Sequence, residues 1–146
     1  MARITRWISI TERCAMLYRN IAFKDIDLLP SHHMYIYYLC NHPDGVSQDA
    51  LAKKVYVNKS SIARSIKTLI DAGFVYREVN LDDKRAYKVY PTKKAYDILP
   101  YIKEVMGKFN EIITSGLKED EIDRLNYLLT KVANNASSYI DLNYEE

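Results

Sequence analysis

The spacing of apolar residues along the chain changes twice and predicts where helices and strands lie. From residue 4 to residue 23 the apolar positions recur every three or four residues, the period of an amphipathic helix. A second apolar segment, "LLPSHHMYIYYLCNHPDG", predicts a buried helix that opens at Pro30 or Ser31 and closes at "HPDG". After Gly73 the period falls to two, which indicates strands, and after Thr92 it becomes helical again.

Two short helices are predicted ahead of these strands. Ser47 is a good N-cap for the helix in "SQDALAKKV", and Asn58 is one for "NKSSIARSIKTLIDAG". Gly73 stands where a left-handed residue ends the second helix, and Phe74 supplies the hydrophobic contact that accompanies it. The apolar stripe of this helix comprises Ile62, Ile66, Leu69 and Ile70. Because only a tight "YV" turn separates the two helices, we predict a helix-turn-helix.

The segments "FVYREV" and "AYKVYP", joined by "NLDDKR", predict a β-hairpin directly after the helix-turn-helix. Thr92 can cap a long helix that contains Pro100, where a kink is expected, and that ends at Gly116. A last helix is predicted from about residue 118 to residue 140. The predicted fold is therefore mainly α with a small β-hairpin wing, a winged helix-turn-helix with helices on both sides of it.

The net charge of +2 is unevenly distributed along the sequence. Residues 1–46 carry a net charge of +1, and residues 93–146 carry −3. Residues 47–92 hold nine Lys/Arg against five Asp/Glu, a net of +4, so this middle third is the candidate for an anionic partner.

The polar face of the second short helix has the side chains that the DNA major groove requires. Arginine can bond guanine O6 and N7 with two hydrogen bonds, and serine reads bases less strictly or bonds phosphate. The free N–H groups at both helix N-termini also favour phosphate. The predicted DNA-binding residues are Ser47 and Gln48 at the start of the first short helix, and Lys59, Ser60, Ser61, Arg64 and Lys67 on the second. The alternative is an amphipathic helix whose polar face is merely solvated.

The hairpin tip suggests a second contact with nucleic acid. Lys84 and Arg85 are placed to reach the minor groove, where negative potential attracts arginine. Asp83 can accept hydrogen bonds from loop amides or from Arg85 and so hold the loop in shape. Asp82 and Asp83 also raise the alternative of an acid–base pair, but adjacent residues on a turn point apart. No Gly-rich phosphate loop and no nucleophile–base set supports an enzyme, so none is predicted.

The chain resembles the MarR family of winged helix-turn-helix regulators. The wing motif of that family reads D-x-R, five residues, then Leu-Thr; here it is Asp83-Lys84-Arg85, "AYKVY", then Pro91-Thr92. The resemblance implies a homodimer on a pseudo-palindromic double-stranded operator, and control of transcription, usually repression. It implies dimerisation helices in residues 1–28 and 93–146 around a DNA-binding region in residues 29–92. By the same match Arg85 contacts the minor groove, while Asp83 and Thr92 have structural roles in the wing.

The resemblance further implies release from DNA by a small, often phenolic, anion. Arg13, Tyr18, His33 and Tyr37 are the candidates to line its cleft, against the alternative that Tyr and His form amphipathic core edges. Peroxide sensors of the family carry a reactive cysteine four residues before a tyrosine, as in "CAMLY" with Cys14 and Tyr18. A redox-responsive repressor is therefore a second hypothesis, unless Cys14 is simply a small buried residue.

Other classes of protein are less well supported. His32, His33, Cys40 and His42 do not have metal-ligand spacing, and no metal or cofactor is predicted. There is no apolar run of about 18 residues, no secretory signal and no disulfide framework, so a cytoplasmic protein without a membrane partner is expected. A winged-helix module that binds only proteins remains an alternative. It predicts no salt-dependent affinity for DNA.

Overall fold

A computed structural model describes residues 3–79, 81–82 and 87–144. The chain divides into two compact units, Met1–Phe109 and Asn110–Glu146. The helices in the described residues are α1 (Ile4–Ala22), α2 (His33–Cys40), α3 (Gln48–Lys54), α4 (Lys59–Asp71), α5 (Lys93–Ile113) and α6 (Glu119–Tyr144). The strands are β1 (Val46–Ser47), β2 (Val75–Val79) and β3 (Tyr87–Pro91). The predicted order of four helices, a hairpin, a long helix and a last helix is confirmed.

The start of α2 differs from the prediction, because α2 begins at His33 rather than at Pro30 or Ser31. The His32 amide donates to the Leu29 carbonyl at 2.9 Å, which closes a turn over the two residues expected to open the helix. The long helix α5 continues through Pro100 as predicted, but it ends at Ile113 rather than at Gly116. The kink expected at Pro100 stays a prediction.

The three strands form one antiparallel sheet in the order β1-β3-β2. β2 and β3 make the predicted hairpin, which we call the wing, with Val75 opposite Pro91 and Val79 opposite Tyr87. β1 adds a two-residue edge that the sequence did not predict. Its neighbour Gly45 adopts a φ of +84°, and a Cβ there would lie 2.5 Å from the Tyr90 ring, so glycine is required.

One hydrophobic core joins α2, α3, α4, the sheet and α5 in the first unit. The predicted stripe of α4 is confirmed, because Ile62, Ile66 and Leu69 are fully buried and Ile70 is half-buried. Burial of this stripe fixes which face of α4 remains outside. Residues Leu39, Leu51, Val89 and Ile102 close the core around it. None of the described helices is long and apolar enough to cross a membrane.

Candidate nucleic-acid interface

The N-termini of α3 and α4 are capped as the sequence predicted. The Ser47 hydroxyl accepts a hydrogen bond from the Ala50 amide at 3.1 Å, and the Asn58 side chain accepts one from the Ser61 amide at 2.8 Å. Each cap satisfies one of the amides that a helix start leaves without an internal partner. The other first-turn amides of each helix keep the partial positive charge that attracts phosphate.

The turn between α3 and α4 is made of Val55, Tyr56 and Val57. The Val57 amide donates to the Ala52 carbonyl at 3.1 Å, and the Tyr56 amide donates to the Lys53 carbonyl at 3.3 Å. This pair of bonds is a Schellman motif, which requires a left-handed residue after the helix. Tyr56 takes that place with a φ of 54°.

The outer face of α4 presents three cations to solvent. Lys59, Arg64 and Lys67 are exposed, and none of them is paired with a carboxylate among the described residues. Ser60 is exposed as well, and its hydroxyl donates to Asn58 Oδ1 at 2.8 Å. Ser61 is half-buried at the edge of this face. The structure thus places four of the predicted residues together on one accessible surface.

The two predicted residues on α3 are less accessible. Ser47 and Gln48 are half-buried, and the Ser47 oxygen already serves as the N-cap. Gln48 Oε1 is buried without a hydrogen-bond partner in the described part of the chain. Only the remaining polar atoms of these two side chains are available to a ligand at the α3 N-terminus.

The wing carries cations that sequence reasoning did not select. The Arg77 guanidinium lies over the Tyr87 ring, 5.0 Å from its centroid. Lys88 is half-buried and pairs across the sheet with Glu78 and with Ser47. The predicted tip residues Asp83, Lys84 and Arg85 lie outside the described residues. Strand alternation alone offered no signal that distinguishes Arg77 or Lys88 from an ordinary solvated cation.

The C-terminal end of α4 is held by the residues that begin α5. The Thr92 hydroxyl donates to the Gly73 carbonyl at 2.6 Å, and the Lys94 ammonium donates to the Ala72 carbonyl at 2.5 Å. Lys94 also lies 4.4 Å from the centroid of the Phe74 ring. These bonds satisfy carbonyls at the helix end and place a cation at the negative end of its dipole.

Comparisons with known proteins agree on one family. Residues 26–86 match the model of the MarR family. The uncharacterized HTH-type transcriptional regulator YybA of Bacillus subtilis (strain 168) is 30% identical over 135 residues, which cover 92% of this chain and 89% of that protein. The chain belongs to the MarR family. It is a transcriptional regulator of that family, which is also what the wing motif indicated.

Solved structures have the same fold as this MarR-family chain. The transcriptional regulator SlyA is 29% identical with a TM-score of 0.90, covering 97% of this chain and 99% of SlyA. A MarR family regulator from Listeria monocytogenes, solved with a 26mer DNA, is 26% identical with a TM-score of 0.88. That alignment covers 100% of this chain and 99% of the Listeria chain.

The junction of α1 and α2 contains a buried polar cluster in this MarR-family chain. Arg19 is only 4% exposed, and its guanidinium bonds the Pro30 carbonyl at 3.0 Å and the Glu12 carboxylate at 2.7 Å. His33 Nδ1 lies 2.9 Å from the same Pro30 carbonyl, so this nitrogen carries the proton. Sequence reasoning missed Arg19. The available signal was its place four residues after the buried Ala15, on the inward face of α1.

The four predicted effector residues have different environments. His33 is buried in the Arg19 cluster, and Tyr18 is half-buried with its ring 5.2 Å from the ring of Phe109. Tyr37 is exposed with the Lys103 ammonium 5.9 Å from its ring centroid, and Arg13 is exposed. Their joint role in a cleft stays a prediction.

Cys14 is exposed on α1, so the alternative that it is a small buried residue is wrong. Cys40 is half-buried. Burial raises the pKa of the Cys40 thiol, and Lys103 partly opposes this. No group of three or more His, Cys, Asp or Glu in the described part of the chain is arranged to hold a metal ion.

Proposed function

We propose that this regulator is a homodimer that binds a pseudo-palindromic DNA operator and represses transcription until an effector releases it. The observation that carries the proposal is the set of exposed cations Lys59, Arg64 and Lys67 on the outer face of α4. Lys59 is the first residue of α4, Arg64 and Lys67 follow on the same face, and the wing follows α4 directly. The structure of the Listeria relative with DNA supports the same mode of action.

In this proposal the N-terminal half of α4 enters the major groove. Arg64 reads a guanine, while Lys59 and Lys67 bind phosphates. The Ser60 hydroxyl donates its hydrogen bond to Asn58 Oδ1, so its oxygen remains free to accept from a cytosine or adenine amino group. Ser61 contributes only through its exposed edge.

Two further regions complete the docking. Ser47 and Gln48 bring the α3 N-terminus against a phosphate. At the wing tip, Lys84 and Arg85 contact the minor groove, Asp83 braces the loop, and Thr92 anchors the base of the hairpin. Thr92 is suited to this role because its amide donates to the Phe74 carbonyl at 3.0 Å and its hydroxyl binds the Gly73 carbonyl.

The homodimer is supported by apolar surface at both ends of the chain. Ile4, Trp7, Leu17 and Ile21 on α1 are exposed. No side chain of α6 among residues 119–141 is buried, although this helix carries the apolar positions Leu125, Leu128, Leu129 and Ile140. Exposed apolar faces of this kind are expected to bind a partner, and a second copy of the chain can cover both faces in one interface.

The effector is proposed to be a small anion, for example a phenolic one, bound near Arg13, Tyr18, His33 and Tyr37. Support comes from the aromatic and cationic side chains at the junction of α1, α2 and α5, where Lys103 lies over Tyr37.

A peroxide response through Cys14 is the second candidate. The observation that favours it is the exposure of Cys14, which gives an oxidant access to the thiol.

The test is a salt-controlled binding assay on the DNA upstream of the protein's own gene. Wild-type affinity should fall steeply as salt rises, because phosphate contacts release counterions. Arg64→Ala should weaken binding and reduce the discrimination between operator and random DNA by about 1–3 kcal/mol, the value of a bidentate base contact.

Lys108→Ala is the matched control, because Lys108 is an exposed cation on α5 that is paired with Glu104. It should bind the operator as the wild type does. Absence of salt-dependent binding to any DNA would instead support the winged-helix module that binds proteins only. Equal discrimination in Arg64→Ala and wild type would contradict the docking of α4.

A further inference from the structure

We propose that the Tyr56 hydroxyl donates a hydrogen bond to a DNA phosphate, so that the turn between α3 and α4 is itself part of the DNA interface. The proposal rests on the proposed function, because it requires α4 to lie in the major groove. It adds a contact from a residue that neither composition nor helix patterning selected.

The backbone conformation of Tyr56 is unfavourable for tyrosine. Its φ of 54° lies in the left-handed region, where the Cβ of an L-residue crowds the following carbonyl oxygen. The Schellman motif at the end of α4 solves the same problem with Gly73, at a φ of +81°. The chain therefore uses glycine at one of two equivalent positions and keeps tyrosine at the other.

Packing does not explain why this strained position holds a tyrosine. Its neighbours Val55 and Val57 are half-buried against the core, whereas Tyr56 is 56% exposed. No ring contact, cation–π contact or side-chain hydrogen bond to the described part of the chain holds it. A bulky residue with a strained backbone, an exposed side chain and no partner among residues 3–79, 81–82 and 87–144 is suited to a contact with another molecule.

The position of Tyr56 identifies the partner as phosphate. The turn precedes the α4 N-terminus by three residues, so it lies at the edge of any groove that this N-terminus enters. Lys54 ends α3 two residues before Tyr56, and Lys59 begins α4 three residues after it. Tyrosine adds to these cations a rigid side chain with an O–H donor, a group that recurs in contacts to the DNA backbone.

Two substitutions at Tyr56 separate the hydroxyl from the backbone. Tyr56→Phe removes only the hydroxyl, and Tyr56→Gly also removes the strain. We expect both to weaken operator binding by about tenfold to a hundredfold per protomer, the size of one hydrogen bond to a charged group. The loss should be the same on operator and random DNA, and the salt dependence should keep its slope because no charge is removed.

Thermal unfolding gives a second readout, in which Tyr56→Gly should not show a loss. Tyr56→Gly should unfold at the same or a higher temperature than wild type, because glycine adopts the left-handed conformation at no steric cost. A variant that is at least as stable yet binds more weakly cannot owe its defect to misfolding. Tyr96→Phe, at an exposed tyrosine on α5, is the matched control and should bind as wild type does.

Equal operator affinity for Tyr56→Phe and wild type overturns the proposal, whatever the affinity of Tyr56→Gly. A changed salt slope or a changed sequence preference in Tyr56→Phe also overturns the proposal, because neither follows from the loss of an uncharged donor to a phosphate. These outcomes leave the proposed function intact, since the wild type still binds. If the wild type binds no DNA, the proposed function fails first and the Tyr56 contact fails with it.

Discussion

At the residue scale, the buried histidine His32 links the stability of the protein to pH. Its side chain lies edge-on to Tyr35, and its Nδ1 has no hydrogen-bond partner among the described residues. Burial lowers the pKa of His32 below its ordinary value of 6.5. Burial also lowers the pKa of His33; Arg19 adds to this effect, whereas the Pro30 carbonyl and Glu12 oppose it.

The direction of the pH dependence follows from these lowered pKa values. Below pH 6.5 the unfolded chain binds protons that the folded chain does not, so acid favours unfolding. The stability that the neutral imidazoles provide is fully present above pH 6.5 and is lost as pH falls through the folded-state pKa values.

His32→Phe should therefore lose less stability than wild type between pH 7.5 and pH 5.5, measured as the urea midpoint at each pH. The phenyl ring keeps the contact with Tyr35 but cannot be protonated. His33 remains in the variant, so a smaller dependence should persist. If the variant and the wild type lost stability equally, His32 would not be the group responsible.

Residue-scale predictions from sequence succeeded where the rule is local. Ser47 and Asn58 cap their helices as predicted, because an N-cap needs only its own helix to bond. The burial of Arg19 depends instead on the Pro30 carbonyl, eleven residues away, and on Glu12. The φ of Tyr56 was not foreseen either, because tyrosine is disfavoured in that conformation.

At the element scale, the same contrast between local and distant causes decides which elements the sequence predicts. The α4 stripe and the strand alternation of the wing are local patterns. The stripe is buried and both strands form as predicted, although burial alternates only in β3, since Val75 alone is buried in β2. β1 consists of two residues that become a strand only by pairing with Val89 and Lys88, about forty positions later. Two residues are too few to form a pattern that would predict so distant a pairing.

The end of α4 offers a test of its local geometry. Gly73→Ala should destabilise the protein by about 1–2 kcal/mol, the cost of a left-handed conformation for a residue with a Cβ. Steric crowding adds little, because the new Cβ would meet only Lys94 Cδ, at 3.8 Å. The free energy of unfolding from urea titration provides the measurement.

Gly107→Ala is the matched control within the same chain. Gly107 lies inside α5, and a Cβ there would meet no atom of the described residues within 4 Å. Alanine should therefore stabilise this helix by about 0.5–1 kcal/mol. Opposite signs at the two glycines are expected. A stabilising Gly73→Ala would contradict the role of Gly73 at the helix end.

At the scale of the whole molecule, charge and exposed apolar surface lie in different parts of the sequence, which matches the two proposed roles, DNA binding and dimerisation. Residues 47–92, which include the exposed cations of α4, carry a net charge of +4, whereas residues 93–146 carry a net charge of −3. Half of the large hydrophobic residues that the described fold leaves exposed lie on α1 and α6. The sequence indicated these faces through their helical period, but only their exposure in the structure shows that the described residues do not cover them.

The exposed apolar face of α6 allows the proposed homodimer to be tested. Leu129 lies on the apolar face of α6 and is 42% exposed, so a dimer that covers this face must bury it. Leu129→Glu should shift the protein from dimer to monomer in sedimentation experiments, because an unpaired carboxylate in an apolar interface is costly. Operator affinity should fall with it, since a monomer holds only one half-site. Ser138→Glu adds the same charge at an exposed polar position of α6 and should remain dimeric. A Leu129→Glu protein that stays dimeric and binds the operator as wild type does would show that this part of α6 is not at the dimer interface.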